Sequence, residues 1–139
     1  MNARHDRNGL IVLDREACLA RLARRRLATL ALSDGALPIA VPAVYALADE
    51  TIYLAGSKRS LFGRCLPGSI VSMCVHDVDD DLAGGWSVTV TGLATPLKLA
   101  TTTLELLGFA PSPWLADEGS RIVVSLDTQR TTGREIARS

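Results

Sequence analysis

Residues Leu37 to Ala46 constrain this chain more than any other stretch, because they read as a strand with two apolar faces. Leu37, Ile39, Val41, Ala43 and Tyr45 alternate against Pro38, Ala40, Pro42, Val44 and Ala46. A half-buried strand keeps one polar face, whereas a strand with none is central in a barrel or covered by a partner. Pro38 and Pro42 sharpen the demand. Neither has an amide to donate to a neighbouring strand, so each must lie at an edge, at a bulge, or where something other than a strand approaches. Two readings stay open here: an edge strand that tolerates its prolines, and the wall of a pocket or interface.

The flanking segments give this strand its neighbours. Leu27 to Ser33 alternates with period two, and Asp34-Gly35 marks a tight turn, so the pair forms a hairpin. Asp49-Glu50 marks the next turn, and Thr51 to Ala55, Ser69 to Val75 and Arg121 to Leu126 read as further strands. Gly84 to Gly92 is a glycine-framed strand with Trp86, Val88 and Val90 on one face and Ser87, Thr89 and Thr91 on the other. Gly92 marks a bulge, a bend or a close approach. Helical patterns occupy Arg15 to about Arg25, capped by Asp14 with Cys18, Leu19 and Leu22 as the buried stripe, and Leu99 to Leu107, stopped by Gly108. The arginine cluster Arg24 to Arg26 is read as a helix end that complements the dipole. Trp114 stays unassigned. Residues 1–9 are expected to fray and 10–136 to form one domain, in which the last strand leads through Thr132-Gly133-Arg134 into a loose end.

Candidate chemistry concentrates at one junction. Gly56-Ser57-Lys58-Arg59-Ser60 joins a strand to a short helical turn through Leu61, Phe62 and Cys65, and it supplies amides, hydroxyls and two cations within five residues. That set suits a phosphate, although the spacing is not that of a Walker loop and a plain polar turn is the simpler reading of the segment alone. His76-Asp77-Val78-Asp79-Asp80-Asp81 fits no calcium-loop spacing and reads as a solvated acidic turn, so no metal is expected. Gly85-x-Ser87 lacks the third glycine and the following helix of a nucleophile elbow.

Composition narrows the function classes. In 139 residues, 47% apolar, the 15 basic and 15 acidic side chains cancel, which disfavours nucleic acid or anionic lipid as a partner. Cys18, Cys65 and Cys74 are odd in number and contain no Cys-x-x-Cys pair, which suggests a reducing compartment and neither disulfide framework nor structural zinc. The segment Ala36 to Ala48 is too short to span a bilayer, and no secretory leader is visible, so a soluble cytoplasmic protein is expected.

Taken together, Pro42-x-x-Tyr45, the Ile52-Tyr53 strand running into Gly56-Ser57-Lys58, Asp77 before the acidic turn, and Trp86-Ser87-Val88 with Gly92 resemble the pyridoxamine 5′-phosphate oxidase-like proteins over about Leu10 to Ile136. The resemblance implies a mainly β (α+β) fold, a six-stranded antiparallel split barrel with a few short helices. It implies a homodimer holding flavin mononucleotide (FMN) at the subunit interface and acting on a small molecule. Pro42, Ala43, Val44 and Tyr45 would line the isoalloxazine ring, Ser57 and Lys58 would hold the phosphate, and Trp86 and Ser87 would close the ring pocket with the second subunit's help. Tyr45 is the one candidate proton donor. Many relatives carry asparagine at or near Val44, and threonine or arginine where this chain has Leu54-Ala55, so two polar flavin contacts of the family lack a counterpart here. The substrate tail of the vitamin-forming oxidases is also absent, so pyridoxamine phosphate oxidation is not expected. A deazaflavin-dependent reductase and a non-catalytic flavin-binding or cofactor-free interaction protein are the alternatives.

Overall fold

The computed structural model describes residues 3–98, 101–109, 113 and 118–136. Among the described residues, eight strands and three short α-helices follow in the order β1 (Ile11–Leu13), α1 (Arg15–Leu22), β2 (Leu27–Asp34), β3 (Leu37–Ala48), β4 (Thr51–Ser57), α2 (Leu61–Cys65), β5 (Ile70–Val78), β6 (Gly85–Leu97), α3 (Thr101–Leu106), β7 (Arg121–Asp127) and β8 (Arg130–Ile136), with a 3-10 turn at Glu118–Ser120 before β7. The sheet order is β1-β8-β6-β5-β2-β3-β4-β7, and a further β6–β7 pairing closes β6, β5, β2, β3, β4 and β7 into an antiparallel barrel. The expected six-stranded barrel is therefore present, with β1 and β8 added outside it. The Trp114, Leu99 and Pro111 of the sequence reading lie outside the described residues. Among the described residues, no helix is long and apolar enough to cross a membrane.

Alternation decides which side chains fill the barrel. Leu30 and Leu32 from β2, Ala43 and Tyr45 from β3, Ile52 and Leu54 from β4, Val71, Met73 and Val75 from β5, Trp86, Val88 and Val90 from β6, and Val124 and Leu126 from β7 form one core with Cys18 and Leu22 of α1. Outside the wall, Leu104 of α3 and Phe109 pack with Ala46, Ala55 and Val123, against which Val44 and Tyr53 also rest. This second cluster accounts for the two apolar faces of β3 near its C-terminal end.

Several boundaries differ from the sequence reading. Asp14 caps α1 by accepting from the Ala17 amide, but the helix stops at Leu22, leaving Arg21 as the basic residue of its last turn. Arg25 instead pairs with Asp77 across the barrel end. The hairpin turn is Gly35-Ala36, one residue later than expected, with Gly35 at φ +61°. Strand β5 runs on through His76 and Asp77 to Val78, because a long partner, β6, is available to it. Strand β6 passes Gly92 and reaches Leu97. At Gly92 it leaves β8 for β7, and a Cβ there would stand 3.3 Å from the Asp127 carbonyl oxygen. The expected loose end is strand β8, whose Gly133 makes room for the Cys18 sulfur. Residues 3–9, expected to fray, turn back on the sheet: His5 bridges Ile11, and the Asp6 carboxylate accepts from the Leu10 amide at 3.0 Å and from Arg134 at 3.2 Å.

Asp49 and Glu50, between β3 and β4, both hold positive φ, at 50° and 62°. Neither is glycine, so the turn needs outside support. The Thr128 hydroxyl, 1% exposed, donates to the Glu50 carbonyl at 2.6 Å, and Arg15 bonds the same threonine.

Candidate functional site

A cavity opens where β3 and β4 part. Their ladder runs from Ala48–Thr51 to Val44–Ala55 and stops, although β3 continues beside β2 to Leu37 and β4 continues beside β7 to Ser57. The reason lies in the strand parity. The Tyr45 amide donates to the Arg26 carbonyl at 2.9 Å, so odd-numbered residues of β3 bond toward β2 and even-numbered ones toward β4. Pro38 and Pro42 thus face the open edge, where a missing amide breaks no existing ladder. At Pro42 the edge is also the wall of a pocket, whereas Pro38 lies on the edge alone.

The cavity encloses about 220 Å³ and is lined by Pro42, Ala43, Ala55, Gly56, Ser57, Ser60, Phe62 and Pro113. Its floor is the Phe62 ring, 5% exposed, which lies over Gly56 so closely that a Cβ there would sit 2.7 Å from the ring. Gly63 allows α2 the same approach to the Lys58 backbone, with a Cβ-to-backbone distance of 2.5 Å. The two glycines therefore press α2 onto the end of β4. Around the rim the Ser57 carbonyl accepts from the Ser60 hydroxyl at 2.9 Å and from its amide at 3.3 Å, and the Ser57 hydroxyl accepts from the Arg59 amide at 3.1 Å. Lys58 is exposed beside this turn, its amide bonded to the Ser120 carbonyl at 2.7 Å. An apolar slot with hydroxyls and cations at one end can hold a flat ring and an anionic tail.

The sequence-predicted residues separate into two groups. Pro42, Ala43 and Ser57 line the cavity and Lys58 adjoins it. Val44 points into the Phe109 cluster on the outer wall. The Tyr45 side chain is 2% exposed inside the barrel, and its hydroxyl donates to the Leu22 carbonyl at 2.7 Å. Burial pushes its pKa far up, with Arg25 opposing, so it is not the proton donor expected at a ring in this cavity. Trp86 is 6% exposed in the barrel core, and Ser87 faces outward 3.6 Å from the Cys74 sulfur. Strands β2 and β5 separate these two from β3 within one chain. Ala55, Phe62 and Pro113 are the lining residues that sequence reasoning missed, and Gly56 was read only as part of the phosphate turn. A glycine matched to a ring six residues later leaves no periodic signal.

The sequence profile described as pyridoxamine 5′-phosphate oxidase matches residues 14–135. No functionally curated protein matches significantly. Among solved structures, the chain is similar to an FAD-binding protein of Mesorhizobium loti, with 20% identity, a TM-score of 0.72, and 94% of this chain and 100% of that one covered. It is similar to the FAD-binding protein of Mycobacterium smegmatis at 16% identity and TM-score 0.70, covering 92% and 99% of the two chains. A flavocytochrome of Azotobacter vinelandii superposes with TM-score 0.67 at 16% identity over 99% of this chain and 70% of its own. At such identities the superpositions establish a shared barrel, and the profile match over most of the length establishes descent: the chain belongs to the pyridoxamine 5′-phosphate oxidase family.

Proposed function

We propose that this protein is a homodimeric flavin-dependent oxidoreductase whose cofactor enters the cavity between β3 and β4. The observation that carries the reading is the coincidence of three features: the stalled ladder, the apolar slot behind it, and the Ser57–Ser60 turn with Lys58 at its mouth. When bound, the flavin would supply hydride and electron transfer to a small molecule. The chain's own residues have simpler duties. Pro42, Ala43 and Phe62 exclude water from the ring, and the Ser57 hydroxyl with the Lys58 ammonium holds the phosphate.

The size of the cavity supports the dimer reading. Pockets for ligands of this kind enclose about 300–1,000 Å³, whereas the cavity of one chain encloses about 220 Å³. A second copy supplies the missing wall. The outward face of β2, β5 and β6, with Thr29, Ala31, Ser72, Cys74, Thr89 and Thr91 in register, is broad, small-featured and uncharged, as a self-complementary surface requires. Ser87 lies on this face and would reach a ring only from the partner copy.

FMN is the leading cofactor, because the cations stand directly beside the Ser57 turn, where a terminal phosphate would end. The FAD-binding relatives favour a second reading in which an adenosine extends past that turn. Purification without added cofactor, followed by mass identification of any released chromophore, decides between FMN, FAD and a deazaflavin. A colourless protein that binds none of the three when they are added overturns the proposal and leaves a cofactor-free interaction module.

A further inference from the structure

The β3–β4 ladder does not stop for lack of chain. By register, the pair after Val44–Ala55 that would exchange hydrogen bonds is residue 42 with residue 57. The Lys58 amide bonds the Ser120 carbonyl at 2.7 Å, which turns even-numbered residues of β4 toward β7 and odd-numbered ones, Ser57 included, toward β3. In a continued ladder the Ser57 carbonyl would accept from residue 42, whose ring nitrogen has no hydrogen. It accepts from the following turn instead, taking the Ser60 amide at 3.3 Å and the Ser60 hydroxyl at 2.9 Å. Of the two bonds this pair would exchange, the one from residue 42 to the Ser57 carbonyl is disabled at both ends, its donor by covalent chemistry and its acceptor by a competing partner.

We propose that Pro42 and Ser60 form a two-part lock that holds the barrel split open, so that the cavity exists because one of the two bonds of the next rung is denied. Pro42 withholds the amide and Ser60 occupies the carbonyl. Restoring both would let β3 and β4 zip one pair further, drawing residues 42 and 57 together across the mouth of the cavity and closing the slot over Phe62. Pro38 faces the same edge, but β4 ends before reaching it, so it has no strand to hold off. The lock deepens the flavin reading and rests on it for the purpose of the cavity, but not for the rung itself.

The test uses the full chain with four variants, Pro42→Val, Ser60→Pro, which removes both the amide and the hydroxyl from the Ser57 carbonyl, the double variant and Pro38→Val. Amide hydrogen exchange is measured on ligand-free protein, and FMN binding is titrated separately. In the double variant the new amide at residue 42 should exchange at least about tenfold more slowly than the neighbouring open-edge amide of Ala40. FMN affinity should fall by about tenfold or more, while melting temperature rises or holds. Pro42→Val alone should show part of both effects and Pro38→Val neither. An amide at residue 42 that exchanges as freely as that of Ala40 in the double variant overturns the lock. Protection gained with FMN affinity unchanged overturns its link to the cavity. Wild-type protein that binds no FMN, combined with protection in the double variant, removes the flavin reading and leaves the lock standing.

Discussion

Strand β6 is hydrogen-bonded along both edges: β5 runs beside Gly85 to Leu93, while β8 and then β7 take the other side. Strand β3 has no such cover. It pairs with β2 from Leu37 to Val44 and with β4 from Val44 to Ala48, exchanging one partner for the other at Val44. The strand with the suggestive residues, Trp86 and Ser87, is therefore the continuous scaffold, whereas the one with proline and alanine borders the cavity. The lesson is physical. A pocket in a sheet requires a gap in hydrogen bonding, and proline makes a gap more surely than any polar side chain does.

The sharpest way to break this contrast is Trp86→Ala. If Trp86 is scaffold, losing its buried ring costs about 3–5 kcal/mol of folding stability, read by chemical denaturation. FMN affinity of the folded protein should then hold; a selective loss of affinity at unchanged stability would return Trp86 to the site. Lys58→Ala should do the reverse. It is expected to weaken FMN binding by about 1.5–3 kcal/mol, the worth of a charged hydrogen bond, and to leave the melting temperature in place.

Tyr45 sits where the two regions meet, inside the barrel and two residues from Ala43. Tyr45→Phe removes the bond to the Leu22 carbonyl and should cost about 1–2 kcal/mol with FMN affinity unchanged. Its pH dependence has a definite sign. The folded pKa is raised above the ordinary tyrosine value of 10.0, chiefly by burial. The stabilisation is thus complete below pH 10 and drains away above it, as the unfolded chain ionises first. Urea midpoints measured from pH 9 upward should fall in the wild type and less in the Phe variant. The smallest effect is expected from Arg25→Ala. Its ion pair with Asp77 is about half exposed on both sides, and such pairs contribute about 0.2–1 kcal/mol; a larger loss would make the barrel end more than a solvated surface.

Much of the fold was legible in the chain because it is written locally. Period-two runs, the Asp14 cap, the turn at Asp49-Glu50 and the doubly apolar Leu37–Ala46 segment each carry their own signal for strand, helix or turn, whereas the antiparallel barrel was expected only from the family resemblance. Strand β8 was not legible, since Arg130 to Ile136 has no apolar alternation and is a strand only because β6 and β1 pair with it.

The site divides along the same line. Sequence alone determined that Pro42 and Pro38 have no amide to give a neighbouring strand and that Ser57-Lys58 suits a phosphate, because amide content and side-chain charge belong to single residues. Tertiary structure decided the rest. The direction of each side chain depends on strand parity, which sent Tyr45 and Trp86 into the core and Ser87 to the outer face. The pocket floor depends on Phe62 meeting Gly56, a contact between two elements. Register set Pro42 opposite Ser57, and only that opposition turns a missing hydrogen into a cavity.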